Sequence, residues 1–203
     1  TMRLAVGLTV TAIVAASALY AFSERHTPPL QASAPYTKTM NVATLATSEA
    51  GLLAAGEQGH IFYSADGGKT WQEAKMPAKL HYAQINEVSF ADAKEGIAVG
   101  HEGLILRSHD GGKSWEEVHF VGDGSGNSIN TAARLPDGSW IALGAFGTAL
   151  RSIDGGKTWE KFTFETVQDR HFNKIFSSAD KQQWMIVGEA GTALKSSDGG
   201  VTW

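Results

Sequence analysis

One eight-residue motif occurs four times in this 203-residue chain, and successive copies are always 44 residues apart. The copies read SADGGKTW, SHDGGKSW, SIDGGKTW and SSDGGVTW. Self-similarity at a fixed interval of this length is typical of repeat architectures, in which each copy builds one supersecondary unit. The repeat therefore constrains the fold more than the length of the chain does.

Each repeat unit extends well upstream of the motif. A Gly-x-x-Gly turn precedes every copy, and further upstream an apolar residue is followed by asparagine, at Met40-Asn41, Ile85-Asn86, Ile129-Asn130 and Phe172-Asn173. Between these landmarks lie short runs rich in Ile, Val, Leu and Phe, which are typical of strands. Four strands per unit and a period of 44 residues predict an all-β fold, a β-propeller of four-stranded blades over residues 40–203.

The repeated motif itself is interpreted as a structural turn. Short Asp and Ser side chains accept hydrogen bonds from nearby backbone N–H groups, glycine adopts positive φ freely, and tryptophan buries a large area at the start of the next strand. A carboxylate that recurs in every unit belongs to a set of equivalent, separated turns, which favours structure over catalysis. The residues given this role are Ser64, Asp66, Gly68, Trp71, Ser108, Asp110, Gly112, Trp115, Ser152, Asp154, Gly156, Trp159, Ser196, Asp198, Gly200 and Trp203.

The N-terminal segment has the composition of a membrane-inserting helix. Residues 4–22 carry no charge, and a helix of 19 residues would reach roughly 28 Å, close to the hydrocarbon thickness of a bilayer. Both a cleaved signal peptide and an uncleaved anchor fit this pattern, and we favour an anchor over residues 1–22 followed by a Pro-rich linker over residues 23–39. Arg3 before the span predicts a single-pass inner-membrane protein with its propeller in the periplasm or an equivalent lumen.

Composition excludes several classes of function. The formal net charge is -4 and no run of like charges occurs, so no nucleic-acid partner is expected. The chain has no cysteine, and its seven histidines lack the spacing of metal ligands. We therefore expect no metal and no cofactor.

Two sets of variable positions are candidates for partner binding. The residue before the motif serine is Tyr63, Arg107, Arg151 and Lys195 in successive units, so three units place a long cation at an equivalent strand position. These cations are either ordinary solvated side chains or a docking patch for an acidic or polar protein surface. Phe146, in the middle of the third Gly-x-x-Gly turn, is a second candidate because variable loops on a rigid scaffold commonly bind partners.

The motif resembles the Asp-box, or bacterial neuraminidase repeat, and the longer pattern over residues 40–203 resembles the photosystem II stability and assembly factor family. That resemblance implies a seven-bladed propeller, of which four units would be a fragment. It also implies a non-enzymatic helper in the thylakoid lumen or periplasm that binds an integral membrane protein complex. Related sequences in bacteria without photosynthesis accompany RND-type export proteins, which makes an accessory role for such a transporter a second form of the same hypothesis.

An enzymatic alternative remains at this point. Sialidases also carry Asp-boxes, and a sialidase-like glycoside hydrolase would need an arginine cluster, a tyrosine nucleophile and a catalytic aspartate. Arg134-Leu135-Pro136 is only weakly similar to a sialidase motif, so several catalytic residues would have to lie outside this sequence. The Asp-box by itself indicates fold and not activity.

Overall fold

The structure is a computed structural model that describes residues 40–77, 83–121, 126–167 and 169–203, together with Ser17. The predicted linker, and the predicted anchor apart from Ser17, lie outside the described residues. Among the residues that are described, no helix is both long enough and apolar enough to cross a membrane.

The described chain forms four antiparallel sheets that follow one another in sequence. The first sheet contains β1 (Val42–Ser48), β2 (Gly51–Gly56), β3 (Ile61–Ser64) and β4 (Gln72–Glu73). The second contains β5 (Ile85–Phe90), β6 (Gly96–Gly100), β7 (Ile105–Ser108) and β8 (Glu116–His119). The third contains β9 (Ile129–Arg134), β10 (Trp140–Gly144), β11 (Ala149–Ser152) and β12 (Glu160–Lys161), and the fourth contains β13 (Phe172–Ser177), β14 (Trp184–Gly188) and β15 (Ala193–Ser196). The predicted meander of four strands per unit is thus present in three sheets, and the fourth sheet has three strands within the described residues.

The hydrophobic core lies between neighbouring sheets. The central strands are buried on both faces, which explains why β6 and β10 are continuous apolar runs. In β10, Ile141 and Leu143 pack toward the fourth sheet, whereas Trp140 and Ala142 pack toward the second. Each sheet therefore depends on its neighbours for stability, as the blades of a propeller do.

The first strand of each sheet lies against the first strand of the next, so that β1 contacts β5, β5 contacts β9, and β9 contacts β13. The repeated asparagines connect these strands at their beginnings. Asn86 Nδ2 donates to the Ile129 carbonyl at 2.9 Å, and Asn130 Nδ2 donates to the Phe172 carbonyl at 2.8 Å. The Asn that opens a unit is therefore an inter-blade bridge at these two positions.

Each Gly-x-x-Gly sequence forms one turn of 3-10 helix between the second and third strands of its sheet. The turns span Glu57–Gly59, His101–Gly103, Ala145–Gly147 and Glu189–Gly191. The middle residue of each turn has a left-handed backbone, with φ between 51° and 56° at Gln58, Glu102, Phe146 and Ala190. Tight packing also requires the glycine that precedes each turn: a Cβ on Gly144 would collide with the Ser128 carbonyl oxygen.

Candidate functional site

The Asp-box turns have the same hydrogen-bond pattern in all four sheets, and the third copy illustrates it. Ser152 Oγ donates to Asp154 Oδ1 and accepts from the Gly156 N–H, both at 2.8 Å. Asp154 Oδ1 also accepts from the backbone N–H groups of Lys157 and Thr158, and its Oδ2 accepts from Thr158 Oγ1 at 2.7 Å. Trp159 Nε1 donates to the Gly156 carbonyl at 3.1 Å and closes the turn.

These bonds hold the box aspartates in the ionised form. Hydrogen bonds from the Thr70 hydroxyl and backbone N–H, with another from Ser64, lower the pKa of Asp66 to about 2. The pKa values of Asp154 and Asp198 are likewise far below the ordinary value for aspartate, because Thr and Ser donors surround both carboxylates. Burial raises the pKa of Asp110, but bonds from Ser114 and Ser108 outweigh burial and lower it. Carboxylates occupied in this way are poor general acids at neutral pH.

The second, third and fourth boxes also pack against the preceding sheet, which the sequence did not reveal. A Cβ on Gly156 would lie 2.8 Å from Ile97 Cδ1, and a Cβ on Gly200 would lie 2.8 Å from Leu135 Cδ2. Both glycines have positive φ, so backbone conformation and close packing require glycine together. Each of these boxes is thus a turn closed by its own hydrogen bonds that also joins two sheets.

Arg107 is not a solvated cation. It lies on β7 at the expected position opposite Ile97, but its side chain is only 10% exposed. Its guanidinium contacts Glu116 at 3.2 Å and Glu95 at 3.7 Å, and its Nε is buried without a hydrogen-bond partner among the described residues. The interpretation of Arg107 as a snorkelling surface charge is therefore wrong, because two carboxylates of its own sheet and the neighbouring box enclose it.

The two other cations are more accessible. Arg151 occupies the equivalent position on β11, its side chain is 40% exposed, and its guanidinium pairs with Asp137 at 2.6 Å. Lys195 is exposed on β15, opposite Met185. The structure thus places the three cations at equivalent positions on successive sheets, with Arg151 and Lys195 open to solvent.

Phe146 is exposed, as expected from its position in a turn. Sixty per cent of its surface is accessible, and its ring meets His171 edge-on at a centroid distance of 4.5 Å. Its left-handed φ of 51° is uncommon for a bulky side chain, which makes Phe146 a conspicuous surface feature.

Sequence reasoning missed two polar arrangements. Lys174 on β13 reaches past β9 to pair with Glu87 on β5 at 2.7 Å, so one ion pair connects the second and fourth sheets. Ser178 Oγ donates to Asp180, accepts from the Gln183 N–H, and begins a turn closed by Trp184 Nε1. The spacing Ser-x-Asp…Trp over residues 178–184 could have indicated this second, box-like turn.

Among the parts of the chain that the structure describes, no group of three or more His, Asp or Glu side chains has a geometry that could hold a metal ion.

The equivalent sheets, the box turns and the inter-sheet cores together define an Asp-box β-propeller. Comparison with family models identifies the family within this class of propellers. The model of the family described as Photosynthesis system II assembly factor YCF48 matches residues 29–133, just over half of the chain, and a BNR/Asp-box repeat model matches residues 150–161. The chain belongs to the Photosynthesis system II assembly factor YCF48 family.

Solved structures that are similar to this chain include two GH74 enzymes and YCF48. An ancestral GH74 enzyme aligns over 80% of this chain and 23% of its own length, with 16% identity and a TM-score of 0.62. The GH74 xyloglucanase from Xanthomonas campestris aligns over 78% of this chain and 29% of its own, with 18% identity and a TM-score of 0.55. YCF48 bound to a D1 peptide aligns over 75% of this chain and 62% of its own, with 18% identity and a TM-score of 0.44.

The chain therefore spans less than two thirds of each of these proteins, and identities this low indicate fold alone. No curated protein matches the sequence.

Proposed function

We propose that this protein is a non-catalytic propeller that binds a membrane-protein complex and assists its assembly or stability. Family membership supports the class of function. The proposal depends on one observation: each box carboxylate already accepts hydrogen bonds from donors of its own turn. The repeated carboxylates stabilise the turns of the scaffold. Binding is therefore assigned to the surface residues that differ between blades.

The proposal includes the location expected from the sequence. Residues 1–22 anchor the chain in the inner membrane, and the propeller lies in the periplasm or an equivalent lumen. A propeller tethered in this way meets membrane-protein partners at high effective concentration, because the search is confined near the bilayer. The partner is a photosystem II intermediate or, in a bacterium without photosynthesis, an RND-type exporter.

The exposed cations Arg151 and Lys195 supply one contact surface for this partner. Both lie on third strands at equivalent positions; Lys195 is exposed, and the 40% exposed Arg151 would exchange its contact with Asp137 for an acidic or polar group of the partner. Arg107 is left out of this surface because its side chain is only 10% exposed and contacts Glu95 and Glu116.

Co-purification from membranes tests the proposal. Full-length tagged protein is extracted in mild detergent, and we expect it to elute with a much larger membrane assembly. The double variant Arg151→Gln/Lys195→Glu should lose that assembly while its thermal unfolding midpoint stays close to that of the wild type, because glutamine adds no charge beside Asp137 and Glu160. Lys161→Glu, a charge reversal on exposed β12, is the matched control and should retain the assembly.

Elution of the intact protein alone in several mild detergents would refute the helper function. Hydrolysis of a chromogenic sialoside by the same preparation would instead favour the glycoside hydrolase alternative. Retention of the assembly by the double variant would remove Arg151 and Lys195 from the binding surface and leave the function itself standing.

A further inference from the structure

Neighbouring sheets pack through two faces that recur from sheet to sheet. We call the side of a sheet that meets the following sheet its forward face, and the side that meets the preceding sheet its rear face. In the third sheet, Ile141 and Leu143 belong to the forward face, whereas Ile129, Ala132 and Trp140 belong to the rear face. All five side chains are buried, because a neighbouring sheet covers each face.

The rear face of the first sheet is apolar but uncovered. Its three corresponding side chains are Val42, Leu45 and Leu52, since Val42 lies opposite the glycine before the 3-10 turn and Leu52 lies opposite the box serine, as in the third sheet. All three are exposed, and 73% of the Leu45 surface is accessible. Val42 and Leu45 line an open hollow of about 260 Å³ together with Met40 and Trp71. The first sheet therefore exposes the kind of apolar face that the later sheets bury.

The forward face of the fourth sheet is also apolar and uncovered. In β14, Met185 and Val187 take the forward positions, because Met185 lies opposite the residue before the box serine, as Ile141 does in β10. Both side chains are partly exposed. Phe176 on β13 pairs with Met185, and 46% of its surface is accessible. The two open faces are thus of opposite kinds, one rear and one forward.

Polar groups of the two open faces correspond as well. Asn86 and Asn130, the second residues of β5 and β9, donate to the carbonyl of the first residue of the next inner strand. Asn173 is the second residue of β13, and its side chain is exposed without a hydrogen-bond partner among the described residues. The first residue of β1 is Val42, so its carbonyl is the corresponding acceptor. The forward face of the fourth sheet holds the donor, and the rear face of the first sheet holds the acceptor.

The first box is open on the side where later boxes meet a preceding sheet. A Cβ on Gly156 would lie 2.8 Å from Ile97 Cδ1 of the second sheet. A Cβ on Gly68, the equivalent glycine of the first box, would meet only side chains of its own sheet. In the fourth sheet the position of Ile97 is held by Met185.

We propose that two copies of this chain associate head to tail, with the forward face of the fourth sheet of one copy packed on the rear face of the first sheet of the other. Asn173 of one copy then donates to the Val42 carbonyl of the second copy, and Met185 lies beside Gly68. The same kind of contact occurs three times between sheets of one chain, which identifies its occupant. Contact between two rear faces would instead place acceptor against acceptor and leave Asn173 unpaired.

The association ends at two copies. Each copy has one open face of each kind among its described sheets, so two reciprocal contacts use all four open faces. The pair has eight sheets, twice the four of one chain, which is within the range of about four to eight blades in propellers. Lys195 stays available to a membrane partner, because Arg151, at the equivalent place on a covered forward face, is 40% exposed.

Sedimentation equilibrium of the full chain tests the dimer. The protein is studied in a density-matched mild detergent over a wide range of concentrations, and we expect a reversible monomer–dimer equilibrium with no larger species. Leu45→Lys and Phe176→Lys place a charge in the rear and the forward face, and each should weaken dimerisation by about tenfold or more. Ile153→Lys, at an exposed box position of the third sheet, is the matched control and should dimerise as the wild type does.

A mixture of the two variants tests the head-to-tail arrangement. Leu45→Lys keeps an intact forward face and Phe176→Lys keeps an intact rear face, so a mixed pair has one unaltered contact. Mixing should therefore restore dimers at concentrations at which neither variant dimerises alone. Asn173→Ala should weaken dimerisation several-fold, because it removes the donor. At concentrations low enough to separate the copies, these variants should keep the wild-type unfolding midpoint, since the substituted side chains are exposed.

Several results would overturn this inference. A monomer at every concentration would show that something other than a second copy covers the open faces. Dimerisation that Leu45→Lys or Phe176→Lys leaves unchanged, or a mixture that behaves as the separate variants do, would exclude the head-to-tail contact. Growth beyond two copies would exclude the reciprocal dimer. None of these results changes the co-purification test, which addresses the helper function separately.

Discussion

Removal of one box hydroxyl, in Ser152→Ala, tests whether the box turns hold the blades together. Ser152 is 1% exposed, and its Oγ makes two bonds of 2.8 Å, one donated to Asp154 and one accepted from the buried Gly156 N–H. Alanine leaves that N–H without an acceptor and cannot admit water without opening the contact between Gly156 and Ile97. An orphaned buried donor costs about 1–3 kcal/mol, so we expect a loss of about 2 kcal/mol in the free energy of unfolding.

Urea denaturation followed by tryptophan fluorescence measures this loss, because each box closes on a tryptophan. For a domain of this size, about 2 kcal/mol corresponds to a fall of about 4–8 °C in the unfolding midpoint. Thr47→Ala, at an exposed position of β1, is the control and should change stability by less than about 0.5 kcal/mol. A Ser152→Ala protein as stable as this control would show that the box serine contributes nothing to the fold, and the reasoning would be wrong.

Two further predictions follow from the same contacts. The folded-state pKa of Asp66 is about 2, below that of an unfolded aspartate. The contribution of Asp66 to stability is therefore present above about pH 4 and is lost as the pH falls toward 2. The urea midpoint should drop across this range, and it should drop less steeply in Asp66→Asn. Asn130→Ala leaves the Phe172 carbonyl without its donor and should cost about 1 kcal/mol in urea denaturation, whereas Asn173→Ala, at the exposed equivalent position, should cost almost nothing.

Much of the scaffold was predictable because its causes are local. Ser, Asp and Gly at fixed offsets favour one turn geometry, and the recurrence of that turn fixes the strand count between copies. The strands predicted between the landmarks are present, and the expected box pattern occurs at every copy. The packing of the second, third and fourth boxes against the preceding sheet was not predictable, because it depends on where the neighbouring blade lies.

Two equivalent arginines show why the exposure of a charged side chain could not be predicted from the sequence. Arg107 and Arg151 occupy equivalent positions, and each is paired in register with a glutamate on the fourth strand, Glu116 and Glu160 respectively. The Arg107 side chain is 10% exposed, and it contacts Glu95, in the turn before β6, as well as Glu116. Arg151 turns instead to Asp137. The turn before the second strand thus gives both arginines an acidic partner, and Arg107 is also covered by the third box, since a Cβ on Gly156 would lie 3.7 Å from Arg107 Cδ.

Comparison of the four copies within the chain separates two kinds of position. The residues that recur in every copy, the box Ser, Asp, Gly and Trp, are those whose side chains or backbones complete hydrogen bonds and contacts inside the scaffold. The positions that differ, before the box serine and in the middle of the 3-10 turn, have a fixed backbone geometry and a variable side chain. Substitutions at these two positions can therefore change the surface chemistry of a blade without a change in how the blades pack. Binding specificity is therefore expected at the differing positions, and the recurrent carboxylates are excluded from it by their own hydrogen bonds.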